Sequence, residues 1–347
     1  MKTVLLGKTR LEVSRVGFGG IPIQRLSEAE AIKVVQHCLE RDITFLDTAN
    51  GYSTSEERIG KAIAGHRQGL VVATKTGARD KATAREHLEL SLRRLNIDTI
   101  DLWQFHNVSS FEAYERVLGP DGAMEAAQEA LRTGKVRHIG ITSHSMDVAL
   151  KAVSSGLFET IQFPLNFVTS EPVKELVPLA QEHNLGFIAM KPFGGGLLGQ
   201  ANLAIKYLLQ FDTVVPDPGI EKIEEIDEIV DIVNGPWELT PRERQEIEHI
   251  RAQMGTRFCR RCDYCQPCPQ GVRISVILGL HSLWKRFPPG MFLKDWVVEA
   301  VETGRNCAQC GECEEKCPYD LPIREMLTEN LEFYDSVASG AKVGCHG

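Results

Sequence analysis

Four side chains with complementary proton chemistry stand at or just beyond the ends of three apolar runs. Ile43-Thr44-Phe45-Leu46 ends on Asp47, and Tyr52 follows in a loop whose Asn50 and Gly51 discourage regular structure. Val71-Val72-Ala73-Thr74 ends on Lys75, and Ile100-Asp101-Leu102-Trp103-Gln104-Phe105 ends on His106. A phenol is a weak acid, with a free pKa of ~10. A neighbouring ammonium stabilises the phenolate and so makes proton donation to a developing alkoxide easier. Asp47 would hold Lys75 by a salt bridge, and His106 would orient a carbonyl oxygen. Taken singly, each is an ordinary strand-end polar residue. As a set they could protonate a carbonyl while a hydride arrives from elsewhere. None of the four can supply that hydride, so a nicotinamide cofactor is implied.

The cysteines carry a second kind of chemistry. Eight of the ten lie in two runs, Cys259-x2-Cys262-x2-Cys265-x2-Cys268-Pro269 and Cys307-x2-Cys310-x2-Cys313-x3-Cys317-Pro318. Zinc sites usually pair two Cys-x2-Cys elements across a longer gap. Four thiols packed into each short run and ending in Cys-Pro match the spacing of iron–sulfur cubane ligands instead. Cys38 and Cys345 fall outside both runs and read as free thiols.

Elements with a regular beat must position these groups. After an N-terminal hairpin turning at Gly7-Lys8 comes a short strand, Val16 to Gly20. Ser27-Glu28-Ala29-Glu30 has the form of a capping box and opens a helix to about Arg41. Strands then fit near 44–47, 70–74, 100–105, 138–142, 160–163, 186–190 and 213–216. Helices fit near 55–64, 83–95, 123–133, 147–155, 174–182, 202–211 and 222–233. This βα repeat over ~230 residues has the rhythm of a (β/α)8 TIM-type barrel, whose active sites are built at the C-terminal ends of the strands. A doubly wound sheet is the alternative, but no G-x-G-x-x-G follows the first strand. A helix near Thr240–Met254 closes the barrel domain, assigned to residues 1–254. The cysteine-rich domain occupies 255–347, with helical apolar spacing from Ile274 to Phe287 and from Phe292 to Val301.

Composition narrows the partners. A net charge of −8 over 347 residues, with neither part basic, argues against nucleic acid. The N-terminal apolar run is too short for a signal peptide, and Ile274 to Trp284 is too short to span a membrane. A soluble, cytoplasmic protein is expected. Its reducing environment favours metal ligation over disulfides.

Residues 1 to about 254 resemble the aldo-keto reductase family. The resemblance rests on Phe45-Leu46-Asp47-Thr48-Ala49 with Gly51-Tyr52, on Lys75 and His106, and on Gly140-Ile141-Thr142-Ser143. It implies that Asp47, Tyr52, Lys75 and His106 form the catalytic tetrad, with Tyr52 the proton donor. It places Thr142 and Ser143 where family members have Ser-Asn for the nicotinamide amide, and Gln162 at the amide-binding glutamine. Met190 stands where a tyrosine usually stacks on the nicotinamide ring. Gly194, Gly195 and Gly196 match the loop whose amides approach a pyrophosphate. Gly219, Glu221 and Lys222 fall in the segment facing the adenosine ribose. Glu221 would repel a 2′-phosphate, which favours NADH, whereas Lys222 argues for NADPH. Ile229 replaces the adenine-contacting Asn.

The cysteine domain is similar to two-cluster bacterial ferredoxins, in which the fourth cysteine of each run ligates the other cluster. The similarity implies one [4Fe-4S] cluster on Cys259, Cys262, Cys265 and Cys317, and a second on Cys307, Cys310, Cys313 and Cys268. The first run departs from the pattern in its last gap. Aldo-keto reductases with an appended dicluster domain form a recognisable subgroup, whose first motif Tyr264, Pro267 and Gly271 fit. An iron–sulfur oxidoreductase is expected, with carbonyl or alcohol chemistry in the barrel and electron transfer through two clusters. A nicotinamide delivers two electrons as hydride and a cubane normally takes one. A flavin, not excluded, or a partner such as ferredoxin would reconcile the two. The alternatives are structural clusters, or an electron-transfer or assembly subunit with weakened nicotinamide binding.

Overall fold

The computed structural model describes residues 1–344, so Cys345 lies outside the described residues. Two compact units are present. One comprises Met1–Gly194 with Leu198–Thr240, and the other Gly195–Leu197 with Pro241 onward. The helix Pro241–Met254, expected to close the barrel domain, therefore groups with the second unit. Its buried side chains are Ile247 and Ile250.

The first unit is built on eight parallel strands, preceded by an antiparallel hairpin of β1 (Thr3–Leu5) and β2 (Glu12–Ser14). The eight are β3 (Phe18–Gly19), β4 (Phe45–Asp47), β5 (Val71–Thr76), β6 (Ile100–Phe105), β7 (Val136–Thr142), β8 (Thr160–Pro164), β9 (Gly186–Met190) and β10 (Val214–Asp217). Each pairs with the next in sequence. Gly17 N–H and Gly19 N–H donate to the carbonyls of Pro216 and Pro218, both at 2.8 Å, and a parallel bridge joins Gly19 to Gly219. The sheet thus returns on itself as a barrel. A doubly wound order would instead reverse direction part-way across.

Alternation along the strands sorts the barrel interior into layers. Phe45, Ala73, Leu102, Ile188 and Val215 form an apolar layer with Val71, packed with Leu6 and Val13 of the hairpin region. Two residues further along the same strands come Asp47, Lys75, Gln104, Met190 and Asp217. Side chains pointing outward, among them Leu46, Val72, Trp103, Ile141, Ile161 and Phe187, pack in the helical shell. Gly140 admits close approach inside: a Cβ there would stand 2.1 Å from Thr160 Oγ1.

Helix starts follow local chemistry. The capping box forms as expected, with Ser27 Oγ accepting from Glu30 N–H at 3.3 Å and Glu30 Oε2 accepting from Ser27 N–H at 3.0 Å. Asp80 and Ser145 cap the helices Lys81–Leu95 and Met146–Ser154. Within the first unit, the α-helix Phe111–Leu118 was not anticipated; Ser110 caps it. Tyr114 is 3% exposed against Phe158, so it belongs to the core, while Phe111 is 46% exposed. Cys38 is also core, and burial pushes its thiol up.

The second unit is helical. Ile274–Ile277, Leu280–Arg286, Asp295–Arg305 and Ile323–Gly344 surround a core that includes Ile277, Leu280, Phe292, Val301 and Leu327. Tyr334 Oη donates to Phe292 O at 3.1 Å within it. Among the described residues, no helix is long and apolar enough to cross a membrane.

Candidate functional site

The strand ends bring Asp47, Lys75 and His106 to one face of the barrel, and the loop after β4 delivers Tyr52. That loop is held in place by backbone bonds: Thr48 N–H and Asn50 N–H donate to Ala73 O and Lys75 O at 2.9 and 3.0 Å. Tyr52 N–H donates to Ala49 O at 2.9 Å. Lys75 Nζ donates to Asp47 Oδ2 and, at 2.7 Å, to Thr48 O. Its ammonium sits 5.3 Å from the centre of the Tyr52 ring. His106 meets Tyr52 edge to face, ring centres 5.6 Å apart and planes at 80°. The four expected residues are therefore one cluster.

Electrostatics assign their charge states. Burial alone would lower the Lys75 pKa, but Asp47, Tyr52 and Asp217 outweigh it, so the pKa is raised and the ammonium persists. His106 is pushed down to about 3 by burial, then by Lys75 and Arg79. Arg79 donates to the backbone oxygens of His106 and Asn107 at 2.8 and 3.0 Å. The imidazole is neutral at physiological pH and carries one N–H. Because this folded pKa lies below the unfolded value near 6.5, the unfolded chain binds more protons between the two. Acidification from ~6.5 towards 3 is expected to lower stability through His106, read as a falling melting temperature. His106→Gln should flatten that dependence, and an unchanged slope would refute the assignment.

Sequence reasoning missed two members of this layer. Gln104 Nε2 donates to Asp47 Oδ1 at 3.1 Å. Asp217 at the end of β10 shares Gln162 with Asp47: Gln162 Nε2 lies 3.2 Å from Asp47 Oδ2 and 3.1 Å from Asp217 Oδ2. The period of two, counted from Leu102 and Val215, was the signal that could have found both.

The residues expected to meet a nicotinamide cofactor are placed unevenly. Gln162 is buried, and its Oε1 has no hydrogen-bond partner, leaving an acceptor for an amide N–H. Met190 ends β9, half-buried, opposite Asp217 in register. Thr142 Oγ1 already accepts from Asn107 N–H at 2.7 Å, and Ser143 Oγ donates to Ser145 O at 3.1 Å. Gly194, Gly195 and Gly196 all take left-handed φ, between 57° and 89°. Gly195 and Gly196 group with the second unit, where their carbonyls accept from Ser282 Oγ at 3.0 Å and Lys285 Nζ at 2.9 Å. Gly219 lies beside Pro22, whose Cγ would be 3.0 Å from an added Cβ. Glu221 pairs with Arg25 at 3.5 Å. The N–H groups of Glu221 and Lys222 donate to Glu225 Oε2 at 3.0 and 3.2 Å, so a carboxylate already takes these helix-start donors. Ile229 is core. His144 bridges Asn107 Oδ1 at 2.9 Å and Lys191 Nζ at 2.8 Å.

In the second unit, both cysteine runs use the same backbone device. Arg261 and Asp263 have φ of 62°, and the equivalent Gln309 and Gly311 have 56° and 85°. These left-handed positions turn the chain around each Cys-x2-Cys segment. Arg261 N–H donates to Cys259 Sγ at 3.4 Å. The Cys265 thiol is pushed up to about 12, first by burial and then by Cys259, Asp263, Cys262 and Cys317. Cys268, Cys307, Cys310 and Cys313 line one pocket, together with Cys265, Val272, Ile274 and Leu327. A thiol-lined, partly apolar space of this kind suits a cubane. Among the described residues, no group of three or more His, Cys, Asp or Glu is placed to hold a metal ion directly.

The model for the Aldo/keto reductase family matches residues 15–203, and that for a 4Fe-4S dicluster domain matches 258–322. "Probable aldo-keto reductase 1" of Glycine max is 28% identical over 218 residues, 57% of this chain and 61% of that protein. The chain thus spans under two thirds of that relative's length. "Uncharacterized oxidoreductase YqkF" of Bacillus subtilis (strain 168) is 30% identical over 217 residues, 58% of this chain and 68% of that protein. Among solved structures, the holo form of aldo-keto reductase AKR11C1 from Bacillus halodurans superposes with a TM-score of 0.64 at 29% identity, over 72% of this chain and 96% of that one. An aldo/keto reductase from Klebsiella pneumoniae in complex with NADP and acetate shares the fold, with a TM-score of 0.62 at 21% identity, over 72% and 95%.

Proposed function

This chain belongs to the aldo/keto reductase family and carries a C-terminal 4Fe-4S dicluster domain, and from that premise we propose that it reduces a small-molecule carbonyl, or oxidises the alcohol, with NAD(P)H and with Tyr52 as proton donor. The observation that carries this reading is the Lys75 ammonium, fixed by Asp47 and held 5.3 Å from the centre of the Tyr52 ring. When bound, the nicotinamide supplies a hydride to the carbonyl carbon. Tyr52 gives its proton to the oxygen, and Lys75 stabilises the phenolate left behind. Neutral His106 donates its N–H to the same oxygen and orients it. Asp47 keeps Lys75 in place through the charge change.

Gln162 would hold the carboxamide with Thr142 and Ser143, and Met190 would pack on the ring. Gly194, Gly195 and Gly196 would face the pyrophosphate, and Gly219, Glu221 and Lys222 the adenosine. The Glu225 carboxylate at the start of the helix Ile223–Asn234 supports NADH over NADPH, because a 2′-phosphate there would meet a like charge. One observation favours the alternative of an electron-transfer or assembly subunit: the Thr142 and Ser143 hydroxyls are already engaged with backbone.

Calorimetry on the anaerobic, cluster-loaded protein decides between them. Saturable binding of NADH, tighter than that of NADPH, is expected. Binding of neither would sink the reductase reading and favour the subunit. We assign the clusters to electron transfer, with ferredoxin or another redox protein as partner. Cluster potentials that ignore NADH plus carbonyl substrate would leave the clusters structural within the isolated protein.

A further inference from the structure

Asp217 is used by none of the chemistry above, although it ends inside the same polar layer. Asp47, Lys75 and Asp217 are 2, 2 and 6% exposed, and Gln104 and Gln162 are at most 1%. Two carboxyl groups and one ammonium are therefore buried together. The donors are shared unequally. Asp47 accepts from Lys75, Gln104 and Gln162. Asp217 accepts only from Gln162, through Oδ2, and no donor reaches its Oδ1. Gly17 makes room for that oxygen: a Cβ there would stand 3.2 Å from Asp217 Oδ1 and 2.6 Å from Phe45 Cδ1.

We propose that Asp217 is a positioning residue that shares one proton with Asp47, donating to it as a carboxylic acid and setting how firmly Asp47 holds Lys75. Two buried carboxylates with one cation between them leave a net charge that a low-dielectric interior does not tolerate, and a shared proton removes it. The proton resides on Asp217 because Asp47 has the donors that stabilise an anion. The carboxyl of Asp217 is accordingly raised well above the ordinary range by burial and then by Asp47, against the pull of Lys75. Asp47 from β4 and Lys75 from β5 are the charged groups acting on it. The neighbouring strands present Gln162 and Met190.

The consequence for Lys75 is direct. While Asp217 keeps its proton, Asp47 and Lys75 balance, and Asp47 gives part of its acceptor capacity to the acid. When alkali removes the proton, a second negative charge reaches Lys75. The ammonium is then held more tightly, and the Tyr52 phenol becomes a weaker acid. The proposal rests on the reductase reading only for this last step. The proton itself can be observed without turnover.

The test is infrared difference spectroscopy of the full, cluster-loaded chain carrying 13C-carboxyl aspartate. Wild type is expected to show an isotope-sensitive carboxylic-acid carbonyl band at neutral pH. Asp217→Asn should lose it. Asp47→Asn should lose it too, because Asp217 then becomes the sole counter-ion of Lys75 and ionises. Should Asp217→Asn fail to fold, Asp47→Asn carries the test alone. Absence of the band from wild type, or its survival in either variant, overturns the proposal. A protein that binds no nicotinamide could still show all three results, so the two readings fail separately. In a protein that does turn over, wild type should show an alkaline inflection in kcat that Asp217→Asn lacks.

Discussion

Tyr52→Phe is expected to lower kcat for carbonyl reduction by about 10²–10⁴-fold, the usual contribution of a positioned proton donor. Nicotinamide affinity should change little. The substitution removes one oxygen and leaves the ring between His106 and the Lys75 ammonium. The loop's backbone is tied to β5 at Thr48 and Asn50, and those bonds survive the substitution. The loss should therefore appear in kcat, with the substrate KM far less affected. Lys75→Met should give a comparable loss for a different reason: the phenol survives without its cation. It should also destabilise the protein, because Asp47 and Asp217 are left as two buried carboxyl groups with no counter-charge. Single-turnover reduction under anaerobic conditions measures all of this. A Tyr52→Phe variant within about threefold of wild type would move the proton donor elsewhere.

The second large effect concerns iron. If the fourth cysteine of each run serves the opposite cluster, pairs of substitutions should sort by cluster rather than by run. Cys268→Ala with Cys307→Ala removes two ligands of one cluster, and roughly half of the iron should remain. Cys317→Ala with Cys307→Ala removes one ligand from each, and both clusters should be lost or severely depleted. Ligation within each run predicts the reverse. Iron content per chain and the spectrum of the dithionite-reduced protein read the outcome. Cys268 lies on the thiol-lined cavity with Cys307, Cys310 and Cys313, which is the juxtaposition the crossed arrangement needs, although Cys265 lines it too. Alanine is preferable to serine because a serine oxygen can replace sulfur as a ligand.

How much of this could be read beforehand follows from the kind of signal each feature leaves. Asp47, Lys75 and His106 were visible because each ends an apolar run, and a charge where a strand stops is easily seen. Gln104 and Asp217 serve the same layer but gave no such contrast. Gln104 lies within a strand between Trp103 and Phe105, where one polar residue reads as an interruption. Asp217 lies between two prolines, and attention passes to the glycine after them. Inward-facing polar residues become informative only when the alternation is followed around the closed barrel, and that requires the register between strands. Phe111–Leu118 escaped notice because a helix of two turns leaves little periodicity. Pro241–Met254 was visible as a helix, but Ile247 and Ile250 do not say which unit covers them. The Gly194–Gly196 loop showed its freedom to turn, while the groups that bond its carbonyls come from distant sequence.

The placing of the cysteine runs has a mechanical consequence. Ile277, Leu280, Phe292 and Val301, which form much of the second unit's core, lie between the two runs in sequence. Clusters that take ligands from both runs act as cross-links and close this stretch into a loop. Closing a loop of about 40 residues removes freedom from the unfolded chain, by a few kcal/mol if disulfides are a guide. Such a domain can be nicked between Arg286 and Phe292 and remain in one piece while its iron is present. Chelation would then release two fragments.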